Sequence, residues 1–152
     1  MRAVWSNTGR HVGSLDEGGI VVSVTVESRS MEVETTQMQS VPVFSIKWEI
    51  DHSNASTLSE AVETPLTKGE SVILLDLTGV DYIDSGGVSV LLSTVRRLRN
   101  RGWLGVINPN GNVRRLLEIV GLTVDHGFRV FADQDEARLA VDAHIANSGG
   151  SA

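Results

Sequence analysis

No cysteine occurs among the 152 residues. A disulfide framework and any thiolate metal site are thereby excluded, and a reducing interior fits. No apolar run approaches the roughly 18 to 20 residues of a membrane span. Met1 to Leu15 has no apolar core of a secretory leader, so the expected location is cytoplasmic, with no membrane partner. Catalytic signatures are missing too. His11, His52, His126 and His144 are scattered, none in a recognisable triad pattern, and Ile83 stands two before Ser85, where a G-x-S-x-G elbow needs glycine. With no general base, metal cluster, G-x-G-x-x-G or P-loop run, the chain reads as a non-enzyme without a cofactor.

Positive charge is also short. Lys and Arg number 13 against 19 Asp and Glu, a net charge of -6, which disfavours direct nucleic-acid binding. The imbalance is local: residues 1–30 are neutral, residues 31–84 carry -8, and residues 85–152 carry +2. Arg96, Arg97, Arg99 and Arg101 fall at the end of an expected helix, where cations meet the negative end of its dipole. Length and a mean hydropathy near zero describe one ordinary soluble domain with a real core.

The most informative stretch is residues 72–92. Val72 to Leu75 are apolar at four successive positions, and Leu77 follows one polar residue later, as in a strand covered on both faces. Thr78-Gly79 is read as the break. After Asp84-Ser85-Gly86-Gly87 the period changes: Val88, Leu91, Leu92, Val95 and Leu98 form a helical stripe. Ser85 is placed to cap that helix, over residues 86–100, by accepting an orphan amide hydrogen. The two glycines leave the first turn sterically open. Three roles are open for Ser85: cap, nucleophile or phosphorylation site. The lack of a base argues against the second.

Elsewhere the strand and helix patterns alternate. Met31 to Thr36 and Val43 to Ile50 alternate as an antiparallel strand pair broken at Gln39-Ser40, with Pro42 at a strand start. Trp48 shares the face of Phe44 and Ile46 and is read as core filling. Asp51 and Asn54 supply turn and capping chemistry ahead of a helix over 54–66. Trp103 to Ile107 and Phe128 to Phe131 are further strands. The Asn108 to Gly111 turn leads into a helix ending at Gly121, and Asp133 to Glu136 open a last helix through Ile145. The order implies a layered α/β domain with right-handed crossovers.

Leu75-Asp-Leu-Thr-Gly-Val-Asp-Tyr-Ile-Asp-Ser-Gly-Gly-Val88 resembles the signature of the STAS family of bacterial anti-sigma-factor antagonists. In that family an apolar strand and short spacer lead to Asp-Ser-(Ser/Ala)-Gly-Leu at a helix start. Gly86 and Val88 depart from the pattern, and Trp48 of Trp-Glu-Ile-Asp51 stands where the family has glycine. The resemblance implies an α/β, STAS-like mixed β-sheet of about four to five strands with about four helices packed on it. It implies a domain over 31–146 and an extension over 1–30 (an additional strand or partly disordered), while Asn147 to Ala152, all small or polar, read as a flexible tail.

The function it implies is that of an anti-sigma-factor antagonist. Ser85 is the implied phosphorylation site, with Asp51, Asn54, Asp84, Ser85, Gly86 and Gly87 as the partner-binding set. Unmodified, the loop binds an anti-sigma factor that is also a serine kinase. Phosphorylation separates the pair, and a serine phosphatase resets it. The helix N-terminus is expected to receive the phosphate. A monomer or weak dimer is expected. Two alternatives stand beside this reading: a STAS scaffold or regulatory module that is never phosphorylated, and a small nucleotide-binding or hydrolytic protein using Ser85 or the Asn108 to Gly111 turn.

Overall fold

A computed structural model describes the backbone of residues 3–6, 12–15 and 21–24 and the full chain over residues 30–149. Chain order is β1 (Ala3–Ser6), β2 (Val12–Leu15), β3 (Val21–Val24), β4 (Glu32–Met38), β5 (Val41–Ile50), α1 (Ala55–Thr67), β6 (Val72–Ile83), α2 (Ser85–Leu98), β7 (Trp103–Ile107), α3 (Gly111–Ile119), β8 (Phe128–Phe131) and α4 (Gln134–Gly149), with a 3₁₀ turn at Leu122–Val124. One mixed sheet has the order β1-β4-β5-β6-β7-β8, and β2 pairs with β3 apart from it. Within residues 1–30, β1 lies antiparallel on β4. Over residues 20–26 apolar side chains recur at alternate positions, Ile20, Val22, Val24 and Val26, and Val21–Val24 of that stretch form β3.

The five strands from β4 onward make the expected mixed sheet, with four helices packed on it. β4 and β5 form a hairpin whose two-residue loop, Gln39-Ser40, has φ of 51° and 71°. Positive φ at both positions matches the loop twist to the strands. From β5 the chain repeats strand, helix, parallel strand across β6, β7 and β8. Side chains of α1, α2 and α3 share one core with Phe44, Ile46, Leu75 and Leu77, while Ala137 and Val141 of α4 pack with Val43, Leu74, Trp103 and Phe131. Helices thus cover both faces, which is why Val72 to Leu75 show no alternation. No helix among the described residues is long and apolar enough to cross a membrane.

Two local readings change. β6 does not break at Thr78-Gly79 but runs to Ile83, because β5 continues alongside it with Lys47 opposite Gly79. A Cβ at Gly79 would lie 2.9 Å from Lys47 Cγ and 3.2 Å from the Ile46 carbonyl oxygen, so the glycine serves close approach rather than a turn. Trp48 is not core filling. The β5–β6 register shifts on either side of it, its φ is +80°, and it is half-buried, while Phe44, Ile46 and Ile50 are buried. The bulge breaks the alternation on which the facing argument rested.

Three arginines at or just beyond the end of α2 reach neighbouring elements at the surface. Arg97 makes a bidentate contact to Glu63 of α1 (2.9 and 3.2 Å), Arg99 reaches Asp125 (3.3 Å), and Arg101 donates to the Leu66 carbonyl (3.2 Å). The side chains of Asp133 and Glu136 cap α4, accepting from the amides of Glu136 (2.9 Å) and Ala132 (2.6 Å) respectively. The helix continues to Gly149, through residues 147–149 that composition assigns to a flexible tail. Leu91→Ala, at a fully buried position of α2, is expected to lower the unfolding free energy by about 2–5 kcal/mol. Leu139→Ala, at an exposed position of α4, should stay within about 0.5 kcal/mol. Urea denaturation followed by circular dichroism checks both.

Candidate functional site

Parallel β5 and β6 end side by side, Ile50 opposite Ile83. Each strand must then turn into a helix, so the turn at residues 51–54 and the start of α2 lie against each other. At this junction a helix start leaves amide hydrogens without helical partners, and nearby acceptors have to meet them.

Asp84 meets most of them. It is the N-cap of α2, in extended conformation, and its Oδ1 accepts from the amides of Gly86 (2.7 Å) and Gly87 (3.1 Å). Its Oδ2 accepts from the His52 amide (3.1 Å) and also lies 3.1 Å from His52 Nδ1. The Asp84 amide donates to the Ile50 carbonyl at 3.0 Å. Burial pushes the Asp84 carboxyl up, but the hydrogen bonds from the His52 ring and from the amides of His52, Gly87 and Gly86 outweigh it. The group is held below its ordinary value of 3.8.

The cap is therefore Asp84 and not Ser85. Both residue types are preferred caps, and the carboxylate already satisfies the amides that a Ser85 hydroxyl would take. Ser85 is the first helical residue and is exposed. Its carbonyl accepts from Ser89 Oγ (2.8 Å), and its own hydroxyl has no hydrogen-bond partner among the described residues.

Opposite lies the 51–54 turn. Asp51 Oδ1 accepts from the amides of Ser53 (2.9 Å) and Asn54 (3.2 Å) and from Ser53 Oγ (2.5 Å). Asn54 is 4% exposed; it accepts from the Asp51 amide and donates to the Glu49 carbonyl, both at 2.9 Å. It rivets the turn to the strand end, and orphaning either backbone group would cost about 1–3 kcal/mol. Gly86 meets the turn directly: a Cβ there would lie 2.6 Å from His52 Cα and 2.8 Å from its nitrogen. The absence of a side chain lets the two loops close on each other.

Of the six partner-binding residues read from sequence, all lie at this junction, with Ser85 exposed, Asp51, Asp84 and Gly86 half-buried, and Asn54 and Gly87 buried. His52 was not among them. Its place in the polar turn ahead of α1 is legible locally, but its contact with Asp84, 32 positions away, is not. Asn110 was also missed. It caps α3 by accepting from the Val113 amide (2.8 Å), and its amide donates to the carbonyls of Val80 and Asp81, both at 3.1 Å. The Asn108 to Gly111 turn thus clamps the end of β6. Among the described residues no group of three or more His, Cys, Asp or Glu is arranged to hold a metal.

The lowered Asp84 carboxyl makes a signed prediction. Its ionised form stabilises the fold above the ordinary carboxyl value, and that contribution fades as pH falls through the lower, folded value. Asp84→Asn keeps a cap acceptor but loses the charge. The wild type is expected to exceed Asp84→Asn in stability at pH 6, with the gap closing as acid is added below about pH 4. Urea midpoints measured from pH 6 to pH 3 check this; a gap independent of pH would contradict it.

The STAS domain model matches residues 32–137, well over half of the chain. The anti-sigma-F factor antagonist RsfB of Mycobacterium tuberculosis is 29% identical over 112 residues, spanning 74% of this chain and 90% of its own. The anti-sigma-B factor antagonist of Listeria monocytogenes is 33% identical over 95 residues, 62% of this chain and 82% of that one. A solved anti-sigma factor antagonist from Mycobacterium paratuberculosis shares the fold with a TM-score of 0.66 at 26% identity, covering 74% of this chain and 94% of that one. SpoIIAA in its unphosphorylated form has a similar fold, with a TM-score of 0.59 at 19% identity and coverage of 72% and 97%. With a STAS domain model over most of its length and these relatives, the chain belongs to the STAS domain family, among its anti-sigma factor antagonists.

Proposed function

We propose that this protein is a phosphorylation-controlled partner switch. With Ser85 unmodified, the junction of the 51–54 turn and the start of α2 docks on an anti-sigma factor that is also a serine kinase. Docking frees the sigma factor; phosphorylation of Ser85 ends the complex; a serine phosphatase restores the free hydroxyl. Asp51, Asp84, Ser85, Gly86 and Gly87 form the docking surface, and Asn54 holds its shape from beneath.

One observation carries the reading. Ser85 is exposed at the first position of α2, and the neighbouring Asp84 does the capping, so the hydroxyl is not needed by the fold. A kinase can modify it without unfolding the helix. Phosphate adds roughly -1.5 to -2 charges to a rim that already holds Glu49, Asp51, Asp81 and Asp84. A surface fitted to a neutral hydroxyl then meets bulk and charge it has not been shaped for. A loss of about 3 kcal/mol weakens binding by roughly a hundredfold.

The unphosphorylated scaffold reading drew support from Gly86 in place of Ser or Ala. The close approach of His52 accounts for that glycine without reference to phosphorylation, which leaves the N-terminal extension as the alternative's remaining ground. The test is intact mass after incubation with ATP and the candidate anti-sigma kinases of the source organism. One added phosphate is expected in the wild type and none in Ser85→Ala. Ser85→Asp should bind the same kinase roughly a hundredfold more weakly. No phosphate on a chain that still binds its partner would make it a constitutive binding module.

A further inference from the structure

The four amide hydrogens that the start of α2 leaves over belong to Asp84, Ser85, Gly86 and Gly87. Three are taken: Asp84 by the Ile50 carbonyl, Gly86 and Gly87 by Asp84 Oδ1. The helix N-terminus is therefore not the open anion cradle that its position promises. A phosphate on Ser85 would find there only the amide of its own residue, with the Asp84 carboxylate beside it. Neither α1 nor α2 has an acidic residue in its first turn, so the acids concerned are those of the strand ends and loops: Glu49, Asp51, Asp81 and Asp84.

Among the described residues, His52 is a group that can carry positive charge and that touches this segment. The His52 ring touches Asp84 Oδ2 at 3.1 Å through Nδ1, and its side chain is 86% exposed against 19% for Asp84. Its backbone is pinned, by the hydrogen bond that its amide donates to Asp84 Oδ2 and by contact with Gly86 so close that no Cβ fits between. The ring is thus anchored over the Asp84–Gly86 segment, which brackets Ser85, yet is free to swing about its own side-chain bonds. The basic residue nearest along β5, Lys47, lies three residues before Ile50, roughly 10 Å back at strand rise. Protonated imidazole forms short, charge-assisted bonds to phosphate oxygens.

We propose that His52 receives the phosphate of phosphorylated Ser85: the imidazole transfers from Asp84 Oδ2 to the phosphate oxygens while the His52 amide stays on Asp84. The proposal rests on the phosphorylation reading above and adds to it a named counter-group. It also links the two loops, because the residue that receives the phosphate belongs to the 51–54 turn. Phosphorylation at one half of the docking surface thereby alters the side-chain face of the other half.

The test installs phosphoserine at position 85 during translation, so it needs no kinase. Phosphorus-31 titrations are compared for the full chain with His52 and with His52→Asn, alongside nitrogen-15 imidazole spectra of the former with and without the phosphate. The exposed position of His52 leaves the fold of the variant intact, which the unphosphorylated spectra check. The second phosphate ionisation is expected to fall lower with His52 present by about half a unit, a roughly threefold change in proton affinity, the modest end of what an opposite charge does at an exposed site. The His52 imidazole signals should move on phosphorylation. Identical phosphate titrations in both chains, with unmoved imidazole signals, overturn the proposal and leave the switch reading intact. Failure of every kinase to modify Ser85 sinks the switch reading instead, while the installed phosphate still reports on His52.

Discussion

A single carboxylate joins the two loops on which the proposed docking surface is built. Asp84 has one oxygen on the first turn of α2 and the other on His52, so the helix start and the neighbouring turn are held by the same ion. The need for it follows from the parallel pairing of β5 and β6. Two parallel strands ending together send two chains into helices on one side of the sheet, and amide hydrogens accumulate where they leave. A neutral cap would satisfy one or two of them. An anion satisfies amides from both chains, and charge-assisted bonds of this kind are about twice as strong as neutral ones. The lowered ionisation of Asp84 is the same fact seen from the proton's side.

The junction stands on a projection of two strands. β6 pairs with β7 only as far as Asp76 but with β5 as far as Ile83, so its last residues leave the body of the sheet. Two-stranded ribbons are marginal by themselves, and this one is braced. The Asn110 side chain takes the carbonyls of Val80 and Asp81 on the side that β7 has vacated. Val80 and Ile83 are buried in the helical core. Trp48 pays for the arrangement in backbone strain: a non-glycine residue at φ +80° costs on the order of 1–3 kcal/mol. The ladder resumes beyond it with Glu49 opposite Tyr82 and Ile50 opposite Ile83.

What could be read from sequence and what could not divides along the range of the interactions. Val72 to Leu77 and the stripe from Val88 to Leu98 were legible because burial imposes a period on neighbouring residues. Asp133 and Glu136 were legible as a cap because both partners lie within one turn. The site itself was legible as a location, since Asp84-Ser85-Gly86-Gly87 joins a strand pattern to a helix pattern. Its internal wiring was not. Asp and Ser are equally good caps, and the choice between them rests on Oδ2 reaching His52, 32 positions away. Gly79 looked like a break for a similar reason: the side chain that crowds it, Lys47, comes from another strand. Trp48 was assigned to the core by counting residues, and a bulge shifts the count.

The division of labour between Asp84 and Ser85 also decides where a phosphate would act. Were Ser85 the cap, modifying it would remove a bond that the helix needs, and about 1 kcal/mol of stability would go with it. The switch would then be partly a local unfolding. With Asp84 as the cap, the bonds to Gly86 and Gly87 do not pass through the modified oxygen, and α2 keeps its start. The added charge sits outside the fold, next to Asp84 at the end of the stretch 31–84 that already sums to -8, with the turn's one imidazole beside it. A phosphate placed there changes the electrostatic face shown to a partner far more than it changes the domain that carries it. That is the property a reusable switch requires, since removing the phosphate then restores the original surface without any refolding step.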